Sequence, residues 1–183
     1  NEVAAPPGAD VRTRVVRDAL GNRFLHLTAA GAGGGTIRVA STFELERRET
    51  VLSPDAGATR PITDAELRAH AADLAENTHV TITPAIRAEA RRAVGDERNP
   101  IRQARLLYDW ILGRTQYWVK FPGAMKASAV GSSTYCFDES TGNCTDFHSL
   151  YAAAARSVSL PTRMVYGSFL KGPLDGADKD QSY

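Results

Sequence analysis

A cysteine at the start of a predicted helix is the residue of this chain best suited to covalent chemistry. Cys144 follows Gly142 and Asn143, and an alanine-rich apolar run extends from Thr145 to about Val158. Asn143 is a good N-cap residue, and Asp146 stands three positions later, as in a capping box. The unpaired backbone N–H groups and the positive dipole end of such a helix favour the thiolate, which is the reactive form of cysteine. Cys144 is therefore predicted to be a nucleophile.

Three further side chains near Cys144 each have more than one interpretation. His148 stands one helical turn along, and residues four apart are neighbours on a helix surface. It could tune the thiol, although the shared helix holds it awkwardly for in-line proton transfer, and a packed or solvated histidine is the alternative. Asp146 is predicted mainly to cap the helix, where its charge slightly opposes thiolate formation. Cys136 is predicted to be a free loop thiol, with a disulfide to Cys144 as the alternative in an oxidising compartment.

The other histidines are predicted to be structural. His26 lies in a strand-like segment, His70 on a predicted helix and His79 in the link after that helix. Glu66 and Asp73 are within one turn of His70, but no cysteine is near and no HExxH-type spacing occurs. No metal site and no cofactor are therefore expected.

Residues 1–60 are predicted to form a small β-rich module and a linker. Three segments alternate polar and apolar residues and are separated by turns at Ala19–Asn22 and Gly31–Gly35: Val11–Arg17, Arg23–Thr28 and Thr36–Glu49, the last with Phe43 and Leu45. Val51–Pro61 contains two prolines and a glycine, and its apolar residues show no periodicity, so it is predicted to be the linker.

Residues 61–183 are predicted to form a core of helices that positions Cys144. Three helices precede the helix of Cys144, and each has a start signal: Thr63–Asp64 to about Ala75, Thr83–Pro84 to Gly95, and Asn99–Pro100 to Gly113. Gln116–Val119 is predicted to be a short aromatic strand. Gly123–Gly142 reads as a long loop that walls a substrate cleft. The helix of Cys144 ends at Ser159-Leu160-Pro161, and Arg163–Gly167 is predicted to be a strand.

Composition excludes several classes of protein. The 183 residues allow one ordinary domain, or a small domain attached to part of a larger one, and 43% hydrophobic residues are enough for a buried core. The net charge is +1 without a dense basic stripe, so a nucleic-acid partner is not expected. No apolar run is long enough to span a membrane. The start at Asn1, followed by an Ala/Pro/Gly-rich stretch, is typical of a processed mature protein or a trimmed chain.

The residues around Cys144 resemble the core of the transglutaminase-like superfamily. Gly142-Asn143-Cys144-Thr145-Asp146-Phe147 is similar to that core's G-x-C-x-D-F segment, and Leu160-Pro161-Thr162-Arg163 is similar to its I-P-x-R strand. Further matching positions are Leu150, Arg156, Val165-Tyr166-Gly167, the upstream helix Leu106–Ile111 and Tyr117. The resemblance covers about Asn99 to Gly167 and points to a bacterial member. The first 60 residues are similar to the β-rich domain that often precedes this core.

The resemblance implies an α+β, papain-like fold in which the cysteine helix packs on an antiparallel sheet. It implies a Cys–His–Asp triad without a metal, whose thiolate attacks a carboxamide carbon and forms a thioester. The backbone N–H of Cys144 would be one oxyanion donor, and Tyr117 or Trp118 is the candidate for another, with core packing as the alternative for both aromatics.

Two positions depart from the family pattern. The family's histidine opens a strand several tens of residues after the cysteine, but His148 is the only histidine after Cys144 in this sequence. We therefore expect that the chain ends before its catalytic histidine, after a loop at Lys171–Gln181, and that this chain alone is inactive. Ser159 replaces a glycine at the helix end, which predicts strain or another cap geometry.

The leading hypothesis is a cysteine peptidase or amidase that hydrolyses a carboxamide or peptide bond in a protein or peptide substrate. A cross-linking transglutaminase and a non-catalytic binding module with the same fold are the alternatives. The predicted location is periplasmic or secreted, with the cytoplasm as the alternative.

Overall fold

The computed structural model describes residues 2–19, 21–31, 33–40, 46, 48–51 and 54–167. The predictions for Phe43, Leu45 and the loop Lys171–Gln181 fall outside these residues. The chain divides into two compact units, Asn1–Val51 and Leu52–Tyr183, and each is described by itself.

The first unit consists of two antiparallel strand pairs. Strand β2 (Asp10–Arg17) forms a hairpin with β3 (Arg23–Ala30), in register from Asp10 opposite Ala30 to Arg17 opposite Arg23. Strand β1 (Glu2–Ala4) pairs with β4 (Arg38–Ala40). The sequence did not predict β1, because its Pro/Ala/Gly surroundings carry no alternation and pairing with a distant segment decides its conformation. The predicted third strand, Thr36–Glu49, is regular only at β4 among its described residues.

Three helices open the second unit, each preceded by the N-cap residue that the sequence predicts. They are α1 (Asp64–Ala69) after Thr63, α2 (Pro84–Val94) after Thr83, and α3 (Pro100–Arg114) after Asn99. Helix α1 is shorter than predicted, and a 3-10 turn at Ala71–Asp73 follows it. None of its residues is buried, so tertiary packing does not stabilise a longer helix. Helices α2 and α3 bury one face each, with Ile86 and Leu107 fully buried.

Gly123–Gly142 is not the continuous loop that the sequence predicts. It contains helix α4 (Ser133–Glu139), capped by the Ser132 hydroxyl, which accepts a hydrogen bond from the Tyr135 N–H at 3.2 Å. Helix α4 buries Ser133 and Cys136 and packs against the cysteine helix. The short sequence lacks apolar periodicity, so its helical state depends on this packing.

Helix α5 (Cys144–Ser157) is the centre of the second unit and confirms the predicted helix. It packs against α2, α3 and α4. Four consecutive alanines, Ala152–Ala155, are all buried, so neighbouring elements surround this turn on every side. At its N-terminal end, the parallel pair β5 (Gln116–Tyr117) and β6 (Thr141–Gly142) aligns Tyr117 with Gly142.

Helix α5 ends in a Schellman-type cap with serine in place of glycine. Ser159 has a left-handed φ of 66°. The N–H of Leu160 donates to the carbonyl of Ala155 at 2.9 Å, and the N–H of Ser159 donates to that of Arg156 at 3.1 Å. The usual cap geometry is therefore kept although serine replaces the glycine of the family pattern, and Ser159 adopts a strained left-handed backbone conformation.

The observed elements are those of an α+β fold, but two sheet predictions are not met in the described residues. Residues 161–167 form no strand there, which contradicts the predicted strand Arg163–Gly167. A strand-like segment forms no strand without a pairing partner, and none is present for it in the described part of the second unit. The sheet at α5 is the two-stranded parallel pair β5–β6 rather than an antiparallel sheet. No helix in the described residues is long and apolar enough to cross a membrane.

Candidate active site

Cys144 is the first residue of α5, and its side chain is exposed and free of any disulfide. The Asn143 side chain accepts hydrogen bonds from the N–H groups of Thr145 at 3.0 Å and Asp146 at 3.1 Å. The Cys144 N–H has no hydrogen-bond acceptor among the described residues. The cap therefore leaves one donor of the first helical turn open at the residue that carries the thiol.

The carboxylate of Asp146 joins the helix start to a distant segment. It is fully buried, and it accepts hydrogen bonds from the Asn143 N–H at 2.9 Å, the Ser132 N–H at 2.8 Å and the Ser128 N–H at 3.2 Å. The Ser128 hydroxyl donates to it as well. Burial alone would raise the pKa of the Asp146 carboxyl, but these hydrogen bonds outweigh it and lower that pKa. Asp146 thus caps the helix, as predicted, and also holds residues 128–132 beside it.

Two glycines allow these segments to approach each other. A Cβ on Gly131, which has a φ of 77°, would lie 2.3 Å from Cγ2 of Thr145. A Cβ on Gly142 would lie 2.4 Å from Cβ of Asp146. Non-bonded heavy atoms do not approach each other this closely, so both positions require glycine for the Cys144 turn to pack as it does.

Cys144 opens into a cleft of about 500 Å³ on one side of α5. His148 and Tyr151 line the cleft from the same helix, and residues 162–167 form the opposite wall. The structure therefore brings the predicted nucleophile and His148 into one cavity. The sequence did not predict that Tyr151 or this wall lies at the site, because their proximity to Cys144 depends on the path of the chain after α5.

The wall is held in place by Arg156 on the far end of α5. The Arg156 guanidinium donates twice to the carbonyl of Thr162, from Nε at 3.1 Å and Nη2 at 2.7 Å, and once to the carbonyl of Ala75 at 2.6 Å. The Thr162 N–H donates to the carbonyl of Asp73 at 2.9 Å. Arg156 matched the family pattern in the sequence, and its contacts give it a structural role.

Tyr117 and Trp118, the predicted second oxyanion donors, lie next to the helix start but do not line the cleft. The Tyr117 ring packs edge-on against the Phe147 ring, with centroids 5.9 Å apart. Trp118 is exposed, in a 3-10 turn. The contact with Phe147 favours core packing for Tyr117, which was the alternative interpretation.

The remaining candidate residues lie apart from the cleft. Cys136 is buried in α4 rather than in a loop, and both cysteines are free, so the alternative disulfide is absent. Burial raises the pKa of Cys136 to about 12, and the negative charge of Asp146 adds to this. His26 and His79 are exposed, and His70 Nδ1 lies 3.2 Å from Oδ2 of Asp73. No group of three or more metal-ligating side chains occurs among the described residues.

Comparison with known proteins gives one match. A family model described as the transglutaminase-like superfamily matches residues 87–180, just over half of the 183 residues. This range includes Cys144, the cleft wall and the segment whose resemblance was noted above, so the family prediction is confirmed. No curated protein and no solved structure matches the chain.

Proposed function

We propose, since the chain belongs to the transglutaminase-like superfamily, that it is a thiol-dependent acyl-transfer enzyme that hydrolyses a carboxamide or peptide bond. Membership indicates cysteine-dependent acyl transfer at the level of the family, and the superfamily is generally enzymatic. The proposal adds that Cys144 is the nucleophile, that a protein or peptide is the substrate, and that water is the usual acceptor.

The observation that carries the proposal is the position of Cys144. Its exposed side chain stands at the first turn of a capped helix and opens into a cavity large enough for a peptide segment. Its backbone N–H is free of any acceptor in the described residues. A thiol nucleophile and an oxyanion donor from one residue are the arrangement that acyl transfer through cysteine requires.

The proposed reaction has two steps. The Cys144 thiolate attacks the carbonyl carbon, and the electron pair of the C=O bond moves to oxygen, which accepts a hydrogen bond from the Cys144 N–H. The oxyanion collapses to a thioester as the C–N bond breaks, and the amine leaves with the proton that the Cys144 thiol released. Water then attacks the thioester and releases the acid and the thiol. His148 shares the cleft and is proposed to tune the thiol, whereas the family's base is a later histidine.

The test combines labelling with turnover. Mass spectrometry after brief treatment with iodoacetamide is expected to find Cys144 alkylated and Cys136 unmodified. In the full-length protein, Cys144→Ala is expected to abolish hydrolysis of glutamine-containing peptides, whereas Cys136→Ala, the matched control, retains the labelling of Cys144. Labelling of Cys136 with none at Cys144 would overturn the proposal.

The acceptor is tested separately. Incorporation of a primary amine into a glutamine-bearing protein, faster than release of the free acid, would identify a cross-linking enzyme instead. Binding of peptides without any thioester, detected as an intact mass without an acyl adduct, would identify a binding module.

The proposed compartment is the periplasm or the extracellular space, on the strength of the family resemblance. In such a compartment the buried Cys136 is not available to block Cys144 by oxidation. Fractionation of cells that express the protein tests this, and recovery in the cytoplasm alone would contradict it.

A further inference from the structure

The described residues that line the cleft beside Cys144 include basic side chains. These are His148 and Arg163, and no aspartate or glutamate lines the cleft within the part of the chain that the structure describes. The nearest carboxylate of α5, Asp146, is turned towards Ser128 and Ser132, which occupy it with hydrogen bonds. An anionic group on a substrate therefore meets complementary charge in the cleft.

Arg163 leaves most of its hydrogen-bonding capacity unused among the described residues. Its guanidinium makes no hydrogen bond to any residue that the structure describes, and its side chain is 57% exposed. Asp73 is its one carboxylate neighbour in that part of the chain, with Oδ1 3.9 Å from Nε, and the other oxygen of Asp73 contacts His70. A guanidinium presents five N–H donors, so this loose contact leaves an edge open for a second carboxylate.

The backbone that carries Arg163 is well held. Thr162, directly before it, is fixed by Arg156 and by the backbone of Asp73. Met164, directly after it, packs inward, with its sulfur 3.9 Å from the Ser149 hydroxyl. Fixed neighbours on both sides reduce the conformational entropy lost when Arg163 binds a ligand.

We propose that Arg163 is a specificity residue that binds a carboxylate adjacent to the scissile carboxamide of the acyl substrate. The inference rests on the proposed function and names the substrate class of that site. A planar guanidinium binds a carboxylate with two parallel N–H···O hydrogen bonds, which gives direction as well as charge. The carboxylate belongs either to an acidic side chain beside the reactive residue or to a free chain terminus. Asp73 competes with it for Arg163.

The first test compares two alkylating reagents that differ in charge. Iodoacetate is an anion and iodoacetamide is neutral. The rate of alkylation of Cys144 by iodoacetate divided by the rate with iodoacetamide, compared with the same ratio for a free small thiol, therefore reports the charge of the cleft. Arg163→Gln is expected to lower this ratio about fivefold, which corresponds to about 1 kcal/mol of charge interaction. Arg163→Lys is expected to retain most of the ratio, and Asp73→Asn to raise it. Arg91→Gln, at an exposed position on α2, is the control and is expected to leave it unchanged.

The second test does not need a reactive thiol. Calorimetry on the Cys144→Ala protein compares three glutamine peptides: one with a neighbouring glutamate and a blocked C-terminus, one with a free carboxylate directly after glutamine, and one neutral. Tighter binding of the first or the second identifies the source of the carboxylate. That preference is expected to disappear in Cys144→Ala/Arg163→Gln.

The two proposals fail in different ways. Equal binding of all three peptides, or a preference that persists without Arg163, would overturn the role of Arg163 even if Cys144 is reactive. An unreactive Cys144 in a protein that still prefers the acidic peptides would overturn the proposed catalysis and leave the carboxylate site standing.

Discussion

Replacement of Asp146 by asparagine tests whether the buried carboxylate holds the Cys144 turn together. Each oxygen of Asp146 accepts two hydrogen bonds: Oδ1 from the Ser128 hydroxyl and the Ser132 N–H, and Oδ2 from the N–H groups of Ser128 and Asn143. Asparagine has the same shape but replaces one oxygen by an NH₂ group. In one orientation that group faces the N–H groups of Ser128 and Asn143, which lose their acceptor. In the other it faces the Ser128 hydroxyl and the Ser132 N–H, of which the latter keeps a hydrogen bond to the Ser128 hydroxyl oxygen at 3.2 Å.

The expected loss of stability follows from these four contacts. A hydrogen bond to a charged acceptor contributes about 1.5–3 kcal/mol, so the loss of one or two gives a decrease of about 2–4 kcal/mol in the free energy of unfolding. The matched control is Asp109→Asn, whose carboxylate is half-exposed on α3 and forms an ion pair with Arg105. A surface pair of this kind contributes about 0.3–0.5 kcal/mol.

The effect also depends on pH in a defined direction. The folded-state pKa of Asp146 is lowered, so its contribution is fully present above the unfolded-state value of about 3.9 and is lost as the pH falls through the folded-state pKa. The difference between the wild type and Asp146→Asn is therefore expected to be constant near neutral pH and to shrink in the acid range.

Urea unfolding followed by tryptophan fluorescence measures this difference, because both tryptophans, Trp110 and Trp118, lie in the second unit. Unfolding curves at neutral pH and at a series of lower values give the free energies. A loss below about 1 kcal/mol for Asp146→Asn at neutral pH, or a loss equal to that of Asp109→Asn, would refute the reasoning.

Three further predictions concern the surroundings of Cys144. Gly131→Ala is expected to lower the free energy of unfolding by at least about 2 kcal/mol through strain and a clash, whereas Gly113→Ala, in open space within α3, is expected to raise it by about 0.5–1 kcal/mol, both measured by urea unfolding. Because its pKa is raised to about 12, native Cys136 is expected to resist alkylation at pH 8 and to react after unfolding; mass spectrometry of native and unfolded samples checks this, and rapid native labelling would contradict it. Arg156→Lys loses the paired bonds to Thr162, so faster amide hydrogen exchange in residues 160–164 is expected, and unchanged exchange would argue against that role.

The start of the cysteine helix could be predicted because its signals are local. Asn143 and Asp146 flank Cys144 at capping-box spacing, and the structure has that cap. The contact between Asp146 and Ser128 joins residues 18 positions apart, and no local pattern reveals it. The same holds for α4, whose seven residues are helical because Cys136 and Ser133 are buried, not because of their order in the sequence.

The cleft wall, residues 162–167, shows the opposite case, in which the sequence predicts an element that does not form. Arg163–Gly167 is predicted to be a strand, but in the described residues no second strand lies beside it, and Arg156 instead holds the preceding residue, Thr162. A strand prediction depends on a partner that the segment itself does not specify.

The buried alanines of α5 limit how this chain can change in length. An inserted residue within the helix would rotate everything on one side of it by about 100° and shift it by about 1.5 Å along the axis. Because Ala152–Ala155 are enclosed on all sides, the C-terminal half of the helix cannot rotate. The N-terminal half would rotate instead, and Cys144 would move away from its cleft. Insertions and deletions are therefore expected to accumulate in exposed segments such as Phe121–Ala124 and to be absent from α5.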